Sequence, residues 1–412
     1  MKFSKPSQLL LVSAIGLAMA LSLTACQVIT SDYLYVATSG GSGTGGTGQI
    51  ETYAVDSASG AIHSVAAGVP SGGSSPVALA VTSDYLNLYV ANQSGTIVHF
   101  AVAGNGELTQ KDTVTASAAP VSLAVNAAGS YLYVVTSSGS GADTAVLTAY
   151  PLASGAIGTA LAPQTLNLSS VSASYADDTI LPTAVTVLAN SNAVYVTAWD
   201  QSAYNPGCDT CVTSPAHSGW VFGFTVGSGG ALAATPGSPY QAGVEPSAVT
   251  SDPTNRFVYV TDFATEQLIG YAIQDANALS FILSGPFATG LHPDGIAIDP
   301  SGKFIYVANA LSNSVTADSI VASTGAATAV VNVTGSATNS TDAQPVAIIV
   351  EPALGRYVYT ANKLGNSVSG FKMDPSAGSL SATQATPYPT GNQPTALVAV
   401  PHGNHAIEVV AP

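Results

Sequence analysis

The chain has 412 residues, of which 47% are hydrophobic and only 8% are charged, and its formal net charge is −15. This apolar content is enough for a packed core and excludes an intrinsically disordered chain. The excess of acidic groups repels nucleic acid and anionic surfaces, so we expect no nucleic-acid partner.

Residues 1–25 have the pattern of an export signal, with two lysines followed by an apolar run from Leu9 to Leu23. The sequence Leu-Thr-Ala-Cys at 23–26 resembles the bacterial lipobox. The resemblance implies that Cys26 becomes the first mature residue and carries acyl chains, which would hold the protein on a bilayer. The alternative is an ordinary cleaved signal with a chance cysteine.

The residue after the cysteine bears on the destination of the protein. Gln27 stands there, and no Asp is present to retain the protein at an inner membrane. The resemblance therefore implies a lipid-anchored protein of the cell envelope, at the outer membrane on its periplasmic or surface side. No second apolar run is long enough to span a bilayer. Loss of the two lysines at 1–25 changes the net charge from −15 to −17.

The mature chain begins with two expected strands, Tyr33–Ala37 and Gln49–Val55, around a loop rich in Gly, Ser and Thr at Ser39–Gly48. Glycine-rich loops cradle phosphate when a helix begins directly after them. A strand follows here, which argues against a phosphate site.

A repeated unit occupies the rest of the chain. Each copy opens with a proline, at Pro76, Pro120, Pro182, Pro246, Pro293, Pro345 and Pro394. A Tyr-Val or Tyr-Thr pair follows 13 residues later in five of the first six copies and 14 later in the sixth, although the copies are 44 to 64 residues apart. Constant internal spacing with variable distance between copies indicates one structural unit joined by loops of different lengths.

The copy at Pro293–Val321 shows what the unit is. It contains three apolar runs separated by the turn Asp299–Gly302 and a polar corner, and a fourth short run follows in other copies, such as Leu108–Val114. Four short strands per copy at this period predict an all-β fold, a seven-bladed β-propeller with four-stranded antiparallel blades. We expect residues 26–412 to form this single domain.

The two ends of the chain are predicted to share the closing blade. Pro394–Val400 supplies a first strand, and the N-terminal segment supplies the second, third and fourth strands. His405–Val410 also has the pattern of a second strand and competes with Tyr33–Ala37 for that position. We favour the N-terminal strand.

Two insertions interrupt the fourth copy, Ser169–Ile180 before it and Asp200–Gly219 within it. The second contains Cys208 and Cys211. In an exported protein we expect these cysteines to form a local disulfide. A metal site would need four ligands and a redox motif would need a helix, so we predict no metal and no cofactor.

The short motifs of the repeat resemble those of a known family. The second strands carry Tyr-Val-Ala-Asn or close variants, as at 89–92 and 306–309, and residues 299–303 are Asp-Pro-Ser-Gly-Lys. These words are similar to the YVTN repeat and to the lactonase family of seven-bladed propellers, which includes the propeller-type 6-phosphogluconolactonases and the carboxymuconate-cyclising enzymes. The resemblance covers about residues 31–412.

The resemblance implies a His, two Arg and a Glu around one mouth of the channel. In this chain the His position falls at Pro182 or Thr183, the Arg positions at Ser247 and near Ala310, and the Glu position at about Asp262. Neither Arg nor the His is matched. An anionic lactone needs cationic or donor groups for its developing oxyanion, so this mouth is a poor host for one.

Antiparallel pairing places the start of each first strand beside the end of each second strand, so both sets of residues reach the same mouth. We expect Thr183, Ser247, Asp200, Asn309 and Asn362 there. His292, Asp294 and Asp262 are the candidate catalytic residues, because Asp and His can act as base and orienting group. With Asn309 they could instead ligate a hard cation, and each could also be a solvated turn residue.

The sequence leaves three functions open, and we favour the first because the family's basic residues are missing from the mouth. The first is a non-catalytic, lipid-anchored propeller that binds a glycan, a peptide or an envelope protein. The second is a lactone hydrolase, a carboxylic ester hydrolase similar to 6-phosphogluconolactonase, with a site rebuilt for a neutral substrate. The third is a structural module of an envelope assembly.

Overall fold

The computed structural model describes residues 29–40, 47–138, 145–204, 218–332 and 334–403. Over these ranges the chain forms seven antiparallel sheets with four strand positions each, and it contains no α-helix. The helical elements found there are three short 3-10 turns, Ala173–Tyr175, Ser228–Gly230 and Asp275–Asn277. The predicted all-β, seven-bladed propeller is confirmed.

We number the blades 1 to 7 from Pro76. The first, innermost strands are Pro76–Val81, Ala119–Val125, Ile180–Val187, Pro246–Ser251, Pro293–Ile298, Pro345–Val350 and Pro394–Pro401. The second strands are Asn87–Asn92, Tyr131–Ser137, Ala193–Asp200, Phe257–Asp262, Phe304–Asn309, Tyr357–Asn362 and, in blade 7, Thr30–Thr38. The third strands are Thr96–Val102, Ala145–Ala153, Gly219–Val226, Gln267–Ile273, Ser314–Ile320, Ser367–Met373 and Thr47–Asp56.

The outermost strand is continuous in blade 1, at Leu108–Thr115, and consists of two short segments in each other blade. These pairs, from blade 2 to blade 7, are Ala156–Ile157 with Gln164–Thr165, Leu232–Ala234 with Tyr240–Gln241, Leu279–Phe281 with Phe287–Ala288, Ala327–Ala329 with Thr338–Ser340, Leu380–Ala382 with Tyr388–Pro389, and Ile62–Ser64 with Val69–Ser74. In blade 6, for example, the first segment ends at Ala382 and the second begins at Tyr388.

The ring closes through blade 7. The N-terminal strand Thr30–Thr38 lies between the C-terminal strand Pro394–Pro401 and the third strand Thr47–Asp56, with Tyr35 opposite both Val398 and Thr52. The innermost strands also contact their neighbours around the whole ring. The N-terminal strand thus occupies the second position, as predicted. His405–Val410 lies outside the described residues.

A carboxylate holds the turn between the first and second strands in blades 4, 5 and 6. In blade 5, Asp299 accepts hydrogen bonds from the backbone N–H groups of Lys303 at 2.8 Å and Phe304 at 2.7 Å. Gly302 has a φ of 68°, a left-handed conformation that favours glycine. The sequence Asp-Pro-Ser-Gly therefore specifies this turn. The basic residue that follows it, Lys303, lies on the face opposite the mouth.

The repeat tyrosine joins each blade to the next. Seven tyrosines at the same position of the second strand are fully buried, and six donate a hydrogen bond of 2.6 to 2.9 Å to a backbone carbonyl in the following blade. Tyr306, for example, donates to Gly378 at 2.9 Å. Tyr133 is the exception, because its hydroxyl is buried without a partner among the described residues.

Each third strand but one carries an aromatic ring that packs in the same core cluster as the repeat tyrosine of the preceding blade. In six blades this aromatic residue of the third strand pairs with the residue just before the repeat tyrosine. The six are Tyr53, Phe100, Tyr150, Phe224, Tyr271 and Phe371. Blade 5 has Asp318 there, 3% exposed, and burial raises the pKa of its carboxyl to about 6. Its Oδ2 has no hydrogen-bond partner in the part of the chain that the structure describes.

No helix within the described ranges combines the length and the hydropathy that a bilayer crossing needs.

Candidate functional site at the channel mouth

A β-bulge follows the opening proline in every blade. The residue after the proline is skipped in the pairing with the second strand, so that Pro293 faces Asn309, Gly295 faces Ala308, and Asp294 has no partner. A bulge re-aims the side chain of the unpaired residue. The seven bulge residues are Val77, Val121, Thr183, Ser247, Asp294, Val346 and Thr395.

Four of these bulge residues line a cavity of about 310 Å³ at the mouth. Its lining residues, contributed by blades 2 to 5, are Val121, Pro182, Thr183, Glu245, Pro246, Ser247, Phe263 and Asp294. The lining combines two carboxyls and two hydroxyls with apolar side chains. It contains no basic side chain, in agreement with the absence of the family's Arg and His residues.

The two hydroxyls are used to join blades. Thr183 Oγ1 donates to the carbonyl of Pro246 at 2.8 Å, and Ser247 Oγ donates to the carbonyl of Pro293 at 2.6 Å. Thr395 makes the same bond to Pro76 where blade 7 meets blade 1. Each hydroxyl has one proton to donate, so Thr183 and Ser247 offer a ligand only acceptor capacity.

Glu245 is positioned by Asp262. Asp262 is fully buried, and its carboxylate accepts hydrogen bonds from the backbone N–H groups of Val244 at 2.8 Å and Glu245 at 2.9 Å. A Cβ on Gly243 would lie 2.0 Å from Asp262 Oδ2, so only glycine lets the loop pass this close. The sequence analysis gave Asp262 as a candidate catalytic residue. In the structure its carboxylate anchors the loop that carries Glu245.

The two cavity carboxyls both have raised pKa values. Burial, together with the negative charges of Asp262 and Asp294, raises the pKa of Glu245 to about 7. Burial raises the pKa of Asp294 to about 6, against a smaller opposing effect of the Lys363 ammonium. Near neutral pH Asp294 is therefore mostly ionised while Glu245 is about half protonated. Such a pair can supply a base and an acid together.

His292 lies beside the cavity and does not line it. Its ring packs on that of Phe263, with centroids 4.3 Å apart and planes at 31°. The backbone has a φ of 52°, and its carbonyl accepts from the N–H of Ala310 at 2.8 Å. His292 therefore supports a wall of the cavity through Phe263.

The remaining predicted mouth residues are buried at the ends of second strands. Asn309 Oδ1 accepts from Gly290 N–H at 3.0 Å, and Asn362 Nδ2 donates to Ser369 Oγ at 2.9 Å. Asp200 accepts from Ser202 N–H at 2.8 Å. These side chains fix the mouth-side turns and are absent from the cavity lining.

No group of three or more metal-ligating side chains is found over the described ranges. Cys26, Cys208 and Cys211 lie outside these ranges, so the lipid anchor and the disulfide remain predictions.

Glu245 and Phe263 are the site residues that sequence reasoning missed. The sequence predicted mouth positions after each opening proline, at the ends of second strands and at His292 before Pro293, but not at Glu245, which comes directly before Pro246. A carboxylate at that position, in a chain with few charges, was the available signal.

The geometry thus defines a closed seven-bladed propeller with an acidic cavity at one mouth of its channel. The sequence matches the family described as lactonase, 7-bladed β-propeller, over residues 33–165 and 233–408, and the chain belongs to that family. The unmatched stretch between these ranges contains the first three strands of blade 3 and both insertions.

Solved structures show the same fold. A periplasmic gluconolactonase from Pseudomonas aeruginosa is 19% identical, with a TM-score of 0.69 over 90% of this chain and 99% of that one. Two proteins provisionally named 6-phosphogluconolactonases are similar, one from Bacteroides fragilis (18% identity, TM-score 0.70, 91% and 99% covered) and one from Bacteroides uniformis (17%, 0.68, 90% and 100%). No curated protein sequence gives a significant match.

Proposed function

We propose that this protein hydrolyses neutral lactones in the mouth cavity, with Asp294 as general base and Glu245 as general acid. The observation that carries the proposal is the pair of carboxyls with raised pKa values in one cavity. Membership in the lactonase family and the likeness to a gluconolactonase support the choice of a lactone.

The chemistry needs one water molecule and these two groups. Asp294 takes a proton from the water as its oxygen attacks the lactone carbonyl carbon, while protonated Glu245 donates a hydrogen bond to the carbonyl oxygen, where negative charge develops. The bond between the carbonyl carbon and the ring oxygen then breaks. Glu245 gives its proton to the departing ring oxygen, which yields a hydroxy acid, and exchange with solvent restores both carboxyls.

The charge of the cavity argues for a neutral substrate. Its lining holds two carboxyls and no basic side chain, so a phosphorylated or carboxylated lactone would meet repulsion where the family's arginines would attract it. A neutral lactone avoids that cost.

A panel of neutral γ- and δ-lactones, with 6-phosphogluconolactone for comparison, tests the proposal by proton release. We expect turnover of neutral lactones, lowered by about 100-fold or more in Glu245→Gln and in Asp294→Asn. The exposed Glu107, in the turn between the third and fourth strands of blade 1, provides the control Glu107→Gln, which should keep full activity. Absence of turnover above background would refute the hydrolase.

The second candidate is a non-catalytic binding module for a glycan, peptide or envelope protein. One observation favours it. The hydroxyls of Thr183 and Ser247 donate to backbone carbonyls, so Glu245 is the one side chain of the cavity lining that can donate a hydrogen bond to an oxyanion. Glycan-array binding that survives Glu245→Gln, without turnover of any lactone, would support this candidate over the hydrolase.

We also propose that the protein works in the cell envelope, anchored through a lipid on Cys26. The export signal and the lipobox-like residues 23–26 support this location. Metabolic labelling with a fatty-acid analogue should mark the wild-type protein and leave Cys26→Ala unlabelled. Equal labelling of both forms, or of neither, would contradict the anchor.

A further inference from the structure

Exposed leucines rim one side of the mouth. Leu291 is 42% exposed and Leu311 is 56% exposed. The two lie side by side, because the N–H of Leu311 donates to the carbonyl of Leu291 at 3.2 Å. Leu364, 64% exposed, occupies the corresponding turn of blade 6. We call Leu291 and Leu311 the apolar rim.

The apolar rim is continuous with the cavity. Leu291 precedes His292 and Pro293, and Asp294 of the cavity follows in the same segment. His292 packs on Phe263, which lines the cavity, and Phe263 N–H donates to the carbonyl of Glu245 at 2.9 Å. The segment Leu291–Asp294 therefore joins the apolar rim to the cavity, with the His292–Phe263 ring pair beside it.

This composition is not a property of the repeat. At the corresponding mouth-side turns, blade 6 has Leu364, whereas Ser39 and Gly40 in blade 7 and Gln93-Ser94-Gly95 in blade 1 are small or polar. Single exposed apolar residues are ordinary, whereas adjacent ones beside a cavity offer an apolar surface that a bound ligand can cover. Covering the leucines removes their apolar surface from water, which favours binding.

We infer that the substrate carries an aliphatic substituent, which leaves the cavity over blade 5 and lies on the apolar rim. This inference rests on the proposed function and narrows the substrate class. It favours alkyl-substituted lactones over sugar lactones, because a sugar lactone carries hydroxyl groups and has no alkyl chain to pack on the leucines.

Binding of a lactam tests the inference without catalysis, because a lactam has the shape of a lactone and resists hydrolysis. Calorimetry would compare unsubstituted δ-valerolactam with the same ring bearing a hexyl chain. We expect the alkyl lactam to bind at least about tenfold more tightly, since most of its chain leaves water. In the double variant Leu291→Ser/Leu311→Ser this difference should disappear, with binding of the unsubstituted ring unchanged.

The matched control is Leu283→Ser. Leu283 is 99% exposed but follows the outer strand segment Leu279–Phe281 of blade 4, away from the mouth, so its variant should keep the tenfold difference. Equal affinities for the two lactams in the wild-type protein would overturn the inference, as would loss of the difference in Leu283→Ser. A preference for the alkyl lactam without turnover of any lactone would leave the inference standing and refute the hydrolase.

Discussion

The hydroxyl of the repeat tyrosine should stabilise the propeller wherever it has a partner and not where it lacks one. Tyr306→Phe removes the 2.9 Å bond to the Gly378 carbonyl and leaves that acceptor in a buried seam, which should lower the free energy of unfolding by about 1–3 kcal/mol. Tyr133→Phe removes a buried hydroxyl that has no partner among the described residues, so stability should stay within about 0.5 kcal/mol or rise.

Urea unfolding followed by tryptophan fluorescence measures both variants, since the protein has two tryptophans. The variants differ from wild type by the same single oxygen at the same position of the repeat, so each is the other's control. We expect a lower midpoint for Tyr306→Phe only, with an unchanged slope. An equal loss in both variants would refute the argument that the bond, rather than the phenol itself, provides the stability.

Two buried carboxyls should make stability depend on pH. The pKa of Asp318 is about 6 in the folded protein, above its ordinary value of 3.8, so ionisation penalises the fold increasingly from about pH 4 to pH 6. Asp318→Asn should match wild type near pH 4 and be more stable by up to about 3 kcal/mol above pH 6, and a constant difference would contradict this. Burial and the adjacent Glu351 raise the pKa of Asp32 to about 9, so the two side chains share a proton across the seam between blades 6 and 7. Asp32→Asn supplies an amide donor to Glu351 instead, and its stability relative to wild type should increase from about pH 4 to pH 9 in urea titrations.

The architecture could be predicted because each repeat is specified by residues that are close together in the sequence. The constant distance from Pro293 to Tyr306 reflects two paired strands and one turn, and the Asp299 carboxylate holds that turn through neighbours within five residues. The second strand of the closing blade could not be settled from the sequence, because two segments carried its pattern. The break in the outer strands was also missed, because short edge segments have little apolar periodicity to reveal them.

The candidate site could be predicted only where it follows the repeat. Thr183, Ser247 and Asp294 were found because they occupy one register position of the first strand. Glu245 lies on an irregular loop whose path depends on hydrogen bonds to Asp262, 17 residues later, and no sequence pattern encodes that contact. For the same reason the contacts by which Asp262 anchors this loop could not be predicted from the sequence.

The pH dependence of kcat/KM for a neutral lactone tests the central claim most directly. With Asp294 active as a base above its pKa of about 6 and Glu245 active as an acid below its pKa of about 7, the profile should be bell-shaped with an optimum near pH ~6.5. Glu245→Gln should keep a residual rate and lose the alkaline limb. A profile that is flat or rises steadily from pH 5 to about pH 9, or an alkaline limb that survives in Glu245→Gln, would contradict the assignment of acid and base.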